Sequence, residues 1–240
     1  CHAEAKKRFN QKFQHGMIRK GECGDCHKSH GFLNTLILKS AVDQLCYGCH
    51  KEHEVQAKSA GAHAPVRKGE CLACHDPHAS PLPGLLKDKA ASELCFKCHK
   101  EGRFKQKFVH APLRQGGCAA CHATHASAER HLLVKPLKEL CSSCHPSNEK
   151  FKKSHSGFPV EKTDCSQCHD PHSSPAPKLL AASAHPPMAQ GECGSCHAAP
   201  DDTKAALQMP PEELCTTCHA DAPKLDKAVV HQPAGSKNCL

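Results

Sequence analysis

The sequence contains no Trp, one Tyr and three Met, and its 20 Leu, 2 Ile, 8 Val and 8 Phe make up only about 16% of 240 residues. Below roughly 20% of such side chains a polypeptide tends to stay disordered, so the ordinary core that this length normally supports is excluded. No stretch is apolar enough to span a membrane. The hydrophobic total of 38% is inflated by cysteine. A folded state must therefore take apolar surface from something other than side chains, and a cofactor is the obvious source.

What the chain has instead is 20 Cys and 22 His. Their spacing decides among disulfides, zinc and haem. Cys-x-x-Cys-His occurs complete nine times: Cys23, Cys26 and His27; Cys46, Cys49 and His50; Cys71, Cys74 and His75; Cys95, Cys98 and His99; Cys118, Cys121 and His122; Cys141, Cys144 and His145; Cys165, Cys168 and His169; Cys193, Cys196 and His197; Cys215, Cys218 and His219. Two thiols at i and i+3 and an imidazole at i+4 project from one side of a helical turn. That suits a porphyrin edge held by two thioethers, with the histidine rising to the iron as proximal ligand. Zinc would pair two Cys-x-x-Cys knuckles and has no use for a His always next. A disulfide scaffold needs no such spacing.

The sites alternate between two classes. Leading sites follow a polar or Gly-containing turn, as at Lys20-Gly21-Glu22-Cys23 and Gln190-Gly191-Glu192-Cys193; trailing sites follow Leu, as at Leu45-Cys46 and Leu214-Cys215. Each leading site precedes its trailing partner by 22 to 24 residues. The site at Cys165 breaks the rule, because the next leading site, Cys193, follows after 28 residues and a trailing site is missing. Pro-rich and Lys-rich connections leave little room for strands or long helices. The expected fold is mainly irregular coil with short α-helices, a haem-dominated core and little or no β-sheet. Its expected units are residues 3–53, 54–101, 102–149, a single-haem unit 150–180, 181–222 and the start of another over 223–240.

The phrase Gly69-Glu70-Cys71-Leu72-Ala73-Cys74-His75-Asp76-Pro77-His78-Ala79-Ser80, followed by Leu85-Leu86-Lys87 and Leu94-Cys95-Phe96-Lys97-Cys98-His99, resembles the doubled Cys-x-x-Cys-His domains of multihaem c-type cytochromes. It returns as Cys168-His169-Asp170-Pro171-His172-Ser173-Ser174. The resemblance implies periplasmic and extracellular electron carriers, among them surface cytochromes and some that polymerise into filaments.

A haem iron is closed only by a second axial ligand, and the histidines suffice for one. His15, His63, His110, His185 and His231 stand eight residues ahead of a leading-site Cys and His155 ten ahead, while His30, His78, His125 and His172 stand three beyond a proximal His. The nine haems c can be served one for one by His15, His30, His63, His78, His110, His125, His155, His172 and His185. The upstream histidine is the expected partner of the leading haem of its unit, and the Cys-His-x-x-His histidine that of the trailing haem. His53 and His131 are expected to be spare. Met17, Met188 and Met209 are too few for general His/Met ligation.

The formal charge of +8 is offset by about −1 per haem from its propionates, so no nucleic-acid partner is expected. Covalent haem attachment implies translocation, to the periplasm, the cell surface or the extracellular space. Both ends resemble severed haem sites. Cys1-His2 matches the end of a motif, and Cys239 follows His231 by eight residues. The chain is therefore expected to be a window of a longer array, with Cys1 alternatively a lipidated terminus.

The expected function is a non-enzymatic electron conduit passing electrons among other redox proteins, neighbouring copies of itself or extracellular minerals. The competing reading is a multihaem oxidoreductase, a nitrogen or sulfur oxyanion reductase with one open-coordination haem. Such enzymes often carry Cys-x-x-Cys-Lys, which does not occur in this sequence.

Overall fold

In most repeats an extended histidine turns directly into a helix of one turn. His15, His63, His110 and His185 have φ near −60° and ψ of 135–142°, and the helices Gly16–Lys20, Ala64–Arg67, Ala111–Arg114 and Pro186–Gln190 start on the next residue. Prolines stand in the first turn of the last three, where a fixed φ helps and no donor is missed. Left-handed Gly21, Gly69 and Gly191, at φ 70–80°, stop three of the four. At Gly69 a side chain would also stand 2.7 Å from Cβ of Asp43.

This computed structural model describes residues 3–28, 37–88, 90–115, 117–160, 163–182, 184–199 and 206–220. The leading cysteines begin 3-10 turns at Cys23–Asp25, Cys71–Ala73, Cys165–Gln167 and Cys193–Ser195, and a one-turn helix at Cys118–Cys121. Each leading His is bridged to a residue further along the chain, His27 to Leu38, His75 to Leu86, His122 to Leu133, His169 to Leu180 and His197 to Leu207. Trailing sites start within the helices Val42–Cys49, Ala91–Phe96, Leu137–Ser142 and Pro211–His219, as their preceding leucines suggest.

Among the described residues sheet is confined to clasps two residues long. β1 (Phe13–Gln14) runs antiparallel to β2 (Ala79–Ser80), and β3 (Phe108–Val109) to β4 (Ser173–Ser174). A single bridge, Ala62 to Ala126, takes the same place between them. In every case the residues just before an upstream histidine pair with those just after a Cys-His-x-x-His histidine of the next repeat. Short helices, small sheets and much coil agree with the fold class expected from the sequence.

The chain divides into two compact parts, one built on Cys1–Leu140 with Pro171–Ser174, the other on Cys141–Asp170 with Pro175–Leu240. Among the described residues the buried apolar side chains are Ala57, Ala62, Ala79 and Phe158, and the most enclosed residues are Ser80, Ser173 and Ser174. Among the described residues side chains alone make no ordinary core.

Candidate metal centres

Three leading histidines, His75, His122 and His169, are aimed by the turn that follows them. Nδ1–H of His75 donates to the carbonyl of Gly84 (2.7 Å), that of His122 to His131 (2.9 Å) and that of His169 to Lys178 (2.9 Å). A carbonyl can only accept, so Nδ1 carries the proton and Nε2 presents its lone pair. The next carbonyl, of Leu85, Leu132 or Leu179, accepts from the amide after the proximal His at 2.7–2.8 Å.

Aiming both carbonyls this way requires two successive left-handed residues: Gly84 and Leu85, His131 and Leu132, Lys178 and Leu179, all at φ 56–67°. Non-glycine residues there cost about 1–2 kcal/mol each, strain held in place by the surrounding bonds. His131, spare by count, thus acts through its backbone. His131→Gly is expected to stabilise the protein by roughly 0.5–1 kcal/mol. Thermal melts should show Tm rising by about 2 °C with the visible spectrum unchanged.

An iron bridging two imidazoles needs ring centroids roughly 6 Å apart, from two metal–nitrogen bonds of about 2.0 Å and two offsets of about 1.1 Å. Among the described residues, seven histidine pairs at 5.9–6.2 Å meet that spacing. They are His15 with His50 (6.2 Å), His27 with His78 (6.1 Å), His63 with His99 (6.2 Å), His75 with His125 (5.9 Å), His122 with His172 (6.0 Å), His155 with His169 (6.2 Å) and His185 with His219 (6.0 Å). Each joins one proximal to one distal candidate, and free thiols accompany every proximal member. The donor set and its spacing fit covalently attached haem.

The partners are not those expected. Upstream His15, His63 and His185 face trailing histidines rather than leading ones, and His78, His125 and His172 face the leading histidine of the preceding repeat. The clasps are the reason. The amide of His15 donates to the carbonyl of His78 (2.9 Å), that of His63 to His125 (2.8 Å) and that of His110 to His172 (2.9 Å). Two distal candidates from successive repeats are thereby fixed side by side and reach different proximal histidines. Only His155 faces a leading histidine of its own repeat.

Further bonds hold the distal rings. Nδ1–H of His63 donates to Thr124 O (3.1 Å) and that of His110 to Pro171 O (3.0 Å). Phe9 stacks on His78 at 4.5 Å, and Phe104 meets His172 edge-on at 5.0 Å. Ser80 donates to Leu86 O and accepts from the Leu82 amide, and Ser127 repeats this with Leu133 and Glu129. These serines tie the clasp to the turn that aims the proximal ring. Burial, helped by neighbouring imidazoles, lowers the pKa of His15, His78 and His125, which favours the neutral, metal-binding form.

Thiols of successive sites adjoin. Burial and the hydrogen-bonded Cys71 push Cys46 up to about 11, and burial with Cys118 does the same to Cys95. Burial, with Cys98 nearby, also raises Cys74. The attachment points of a trailing site and the next leading site are therefore in contact.

His53 is not isolated. Its ring lies 5.6 Å from His50 and 4.7 Å from His125, and its Nδ1 is 2.9 Å from Oε1 of Gln56. Phe158 packs against His197 at 5.5 Å. Cys1, His2, His30, His231 and Cys239 lie outside the described residues. No helix among the described residues is long and apolar enough to cross a membrane. The serines and left-handed turns were missed by sequence reasoning; the recurring Leu-Leu pairs at 85–86, 132–133 and 179–180, and a Ser two residues after each of His78, His125 and His172, were their signal.

A family model described as the doubled CXXCH motif matches the chain five times, over residues 15–55, 63–104, 110–150, 158–184 and 185–224. No curated protein matches it.

Proposed function

We propose, from the premise that this chain belongs to the doubled CXXCH family and is a multihaem c-type cytochrome of electron transfer, that it is a conduit holding nine haems c, seven of them closed by the histidine pairs described above. The observation that carries this reading is the set of seven proximal–distal pairs at 5.9–6.2 Å. A bis-histidine haem exchanges single electrons, offers no position to a substrate, and sits at lower potential than one with His/Met ligation.

The polypeptide supplies placement. Nδ1 bonds to carbonyls fix the tautomers, the clasps hold distal rings rigidly, and adjoining thiols such as Cys46 and Cys71 keep neighbouring sites close. Exposed lysines such as Lys51, Lys68 and Lys100 offset propionate charge. Covalent attachment supports a periplasmic, cell-surface or extracellular location. The repetitive build suits electron exchange with other redox proteins, mineral surfaces or neighbouring copies in a filament.

Intact-mass measurement and the pyridine haemochrome spectrum of the purified protein are expected to give nine haems c. EPR of the oxidised protein should show only low-spin iron. A stoichiometric high-spin signal would overturn the conduit reading in favour of an enzyme, and colourless protein would overturn the haem assignment itself.

A further inference from the structure

The fourth repeat departs from the others in three ways. It has no trailing site, since Cys193 follows Cys165 without one between. The repeat after it has Pro200 where the others have the histidine of Cys-His-x-x-His. Its family match begins at residue 158, whereas the first, second, third and fifth begin on the upstream histidine itself.

Either of the first two departures alone would break the ligand pattern. Elsewhere a leading histidine is faced from the next repeat: His27 by His78, His75 by His125, His122 by His172. Pro200 cannot do this for His169. Elsewhere an upstream histidine faces a trailing one, and the fourth repeat has none for His155 to face.

His155 is built differently from its counterparts. It does not open a helix but follows the C-terminus of Glu149–Ser154. Its Nδ1–H donates to Phe151 O of that helix at 2.9 Å, not to another repeat as in His63 and His110. The Phe151 ring lies against it at 4.4 Å, and the chain leaves through left-handed Ser156 and Gly157. This local frame sets its ring 6.2 Å from that of His169, at 80° to it. The other six pairs span 6–56°.

We propose that His155 is a relocated axial ligand that closes the iron held by Cys165, Cys168 and His169, replacing the histidine absent at position 200, and that it does so with the two imidazole planes nearly perpendicular. The inference rests on the bis-histidine reading above. Loss of one haem site frees a histidine and loss of another histidine opens an iron, so the two losses compensate within one repeat.

The test is EPR of the full-length oxidised haem protein. Near-perpendicular imidazoles give a strongly anisotropic low-spin signal, distinct from the rhombic signals of near-parallel pairs such as His27 with His78. The wild type should carry such a component, and Cys165→Ser with Cys168→Ser should remove it together with one haem mass. His155→Ala should convert one haem per chain to high spin, and adding that change to the cysteine double variant should produce no high-spin iron. His155→Met guards against misfolding of the alanine variant. It should leave all haems six-coordinate and shift one to higher potential, a shift absent in the cysteine-variant background.

As a control, His172→Ala should open an iron that disappears with Cys118→Ser and Cys121→Ser, not with the Cys165 pair. High-spin iron persisting in the triple variant, or a fully low-spin His155→Ala protein, would overturn the assignment. Either result, with nine haems c in the wild type, leaves the conduit reading standing; absence of haem c defeats that reading first.

Discussion

Produced without covalent haem attachment, the chain is expected to remain unfolded, with a far-UV circular dichroism spectrum of coil and rapid digestion by protease. Fixing a residue's backbone costs about 1–2 kcal/mol, while a buried large apolar side chain returns roughly 1.5–3 kcal/mol. Among the described residues Phe158 is the one large apolar side chain that is buried; the others are three alanines. Hydrogen-bonded clasps two residues long cannot make up the difference, since an isolated two-stranded pairing is marginal in water. Native-like helix content and protease resistance in the haem-free chain would refute the view that tethered cofactors form the interior.

Gly61→Ala is expected to be the most damaging single-atom-scale change. A Cβ there would stand 1.7 Å from the carbonyl oxygen of Ser127 and 2.9 Å from its carbon. Both are backbone atoms, so no rotamer relieves the clash. The Ser127 amide also donates to Gly61 O at 3.1 Å, inside the clasp that fixes His63 beside His125. Forcing it open should cost roughly 3 kcal/mol or more and convert the irons of the His63–His99 and His75–His125 pairs partly to high spin. Thermal melts and EPR read the two effects separately. Gly84→Ala is the comparison: its Cβ would meet nothing within 4 Å, and only the left-handed backbone, at about 1 kcal/mol, should be felt. Equal melting temperatures for the two variants would show that the clasp carries no load.

The expectations that the structure reverses all concern partners. Assigning His15 to the leading haem of its own repeat follows from proximity in sequence, yet its ring faces His50, and His27 is faced by His78 from the next repeat. The clasp between β1 and β2 decides this, and two-residue strands such as Phe13–Gln14 and Ala79–Ser80 carry no periodic pattern that could be read beforehand. The left-handed turns were hidden for a related reason. Gly84, His131 and Lys178 share no side-chain chemistry, because the fold uses only their carbonyls and their φ. His131 looked spare because a histidine invites a side-chain role.

The sequence by itself determined the doubled Cys-x-x-Cys-His motifs, the pool of candidate axial histidines, the alternation of sites and the want of an ordinary core. All of these follow from composition or from spacing within one turn of chain, where i, i+3 and i+4 settle what can face a common porphyrin. Only the tertiary structure decided which distal histidine meets which proximal one, that each clasp links successive repeats, and that His155 pairs with His169. Backbone hydrogen bonds from His15 to His78, His63 to His125 and His110 to His172 made the choices between repeats, His155 being held instead by its local bond to Phe151 O, and an amide or carbonyl pairs alike whatever side chain it carries.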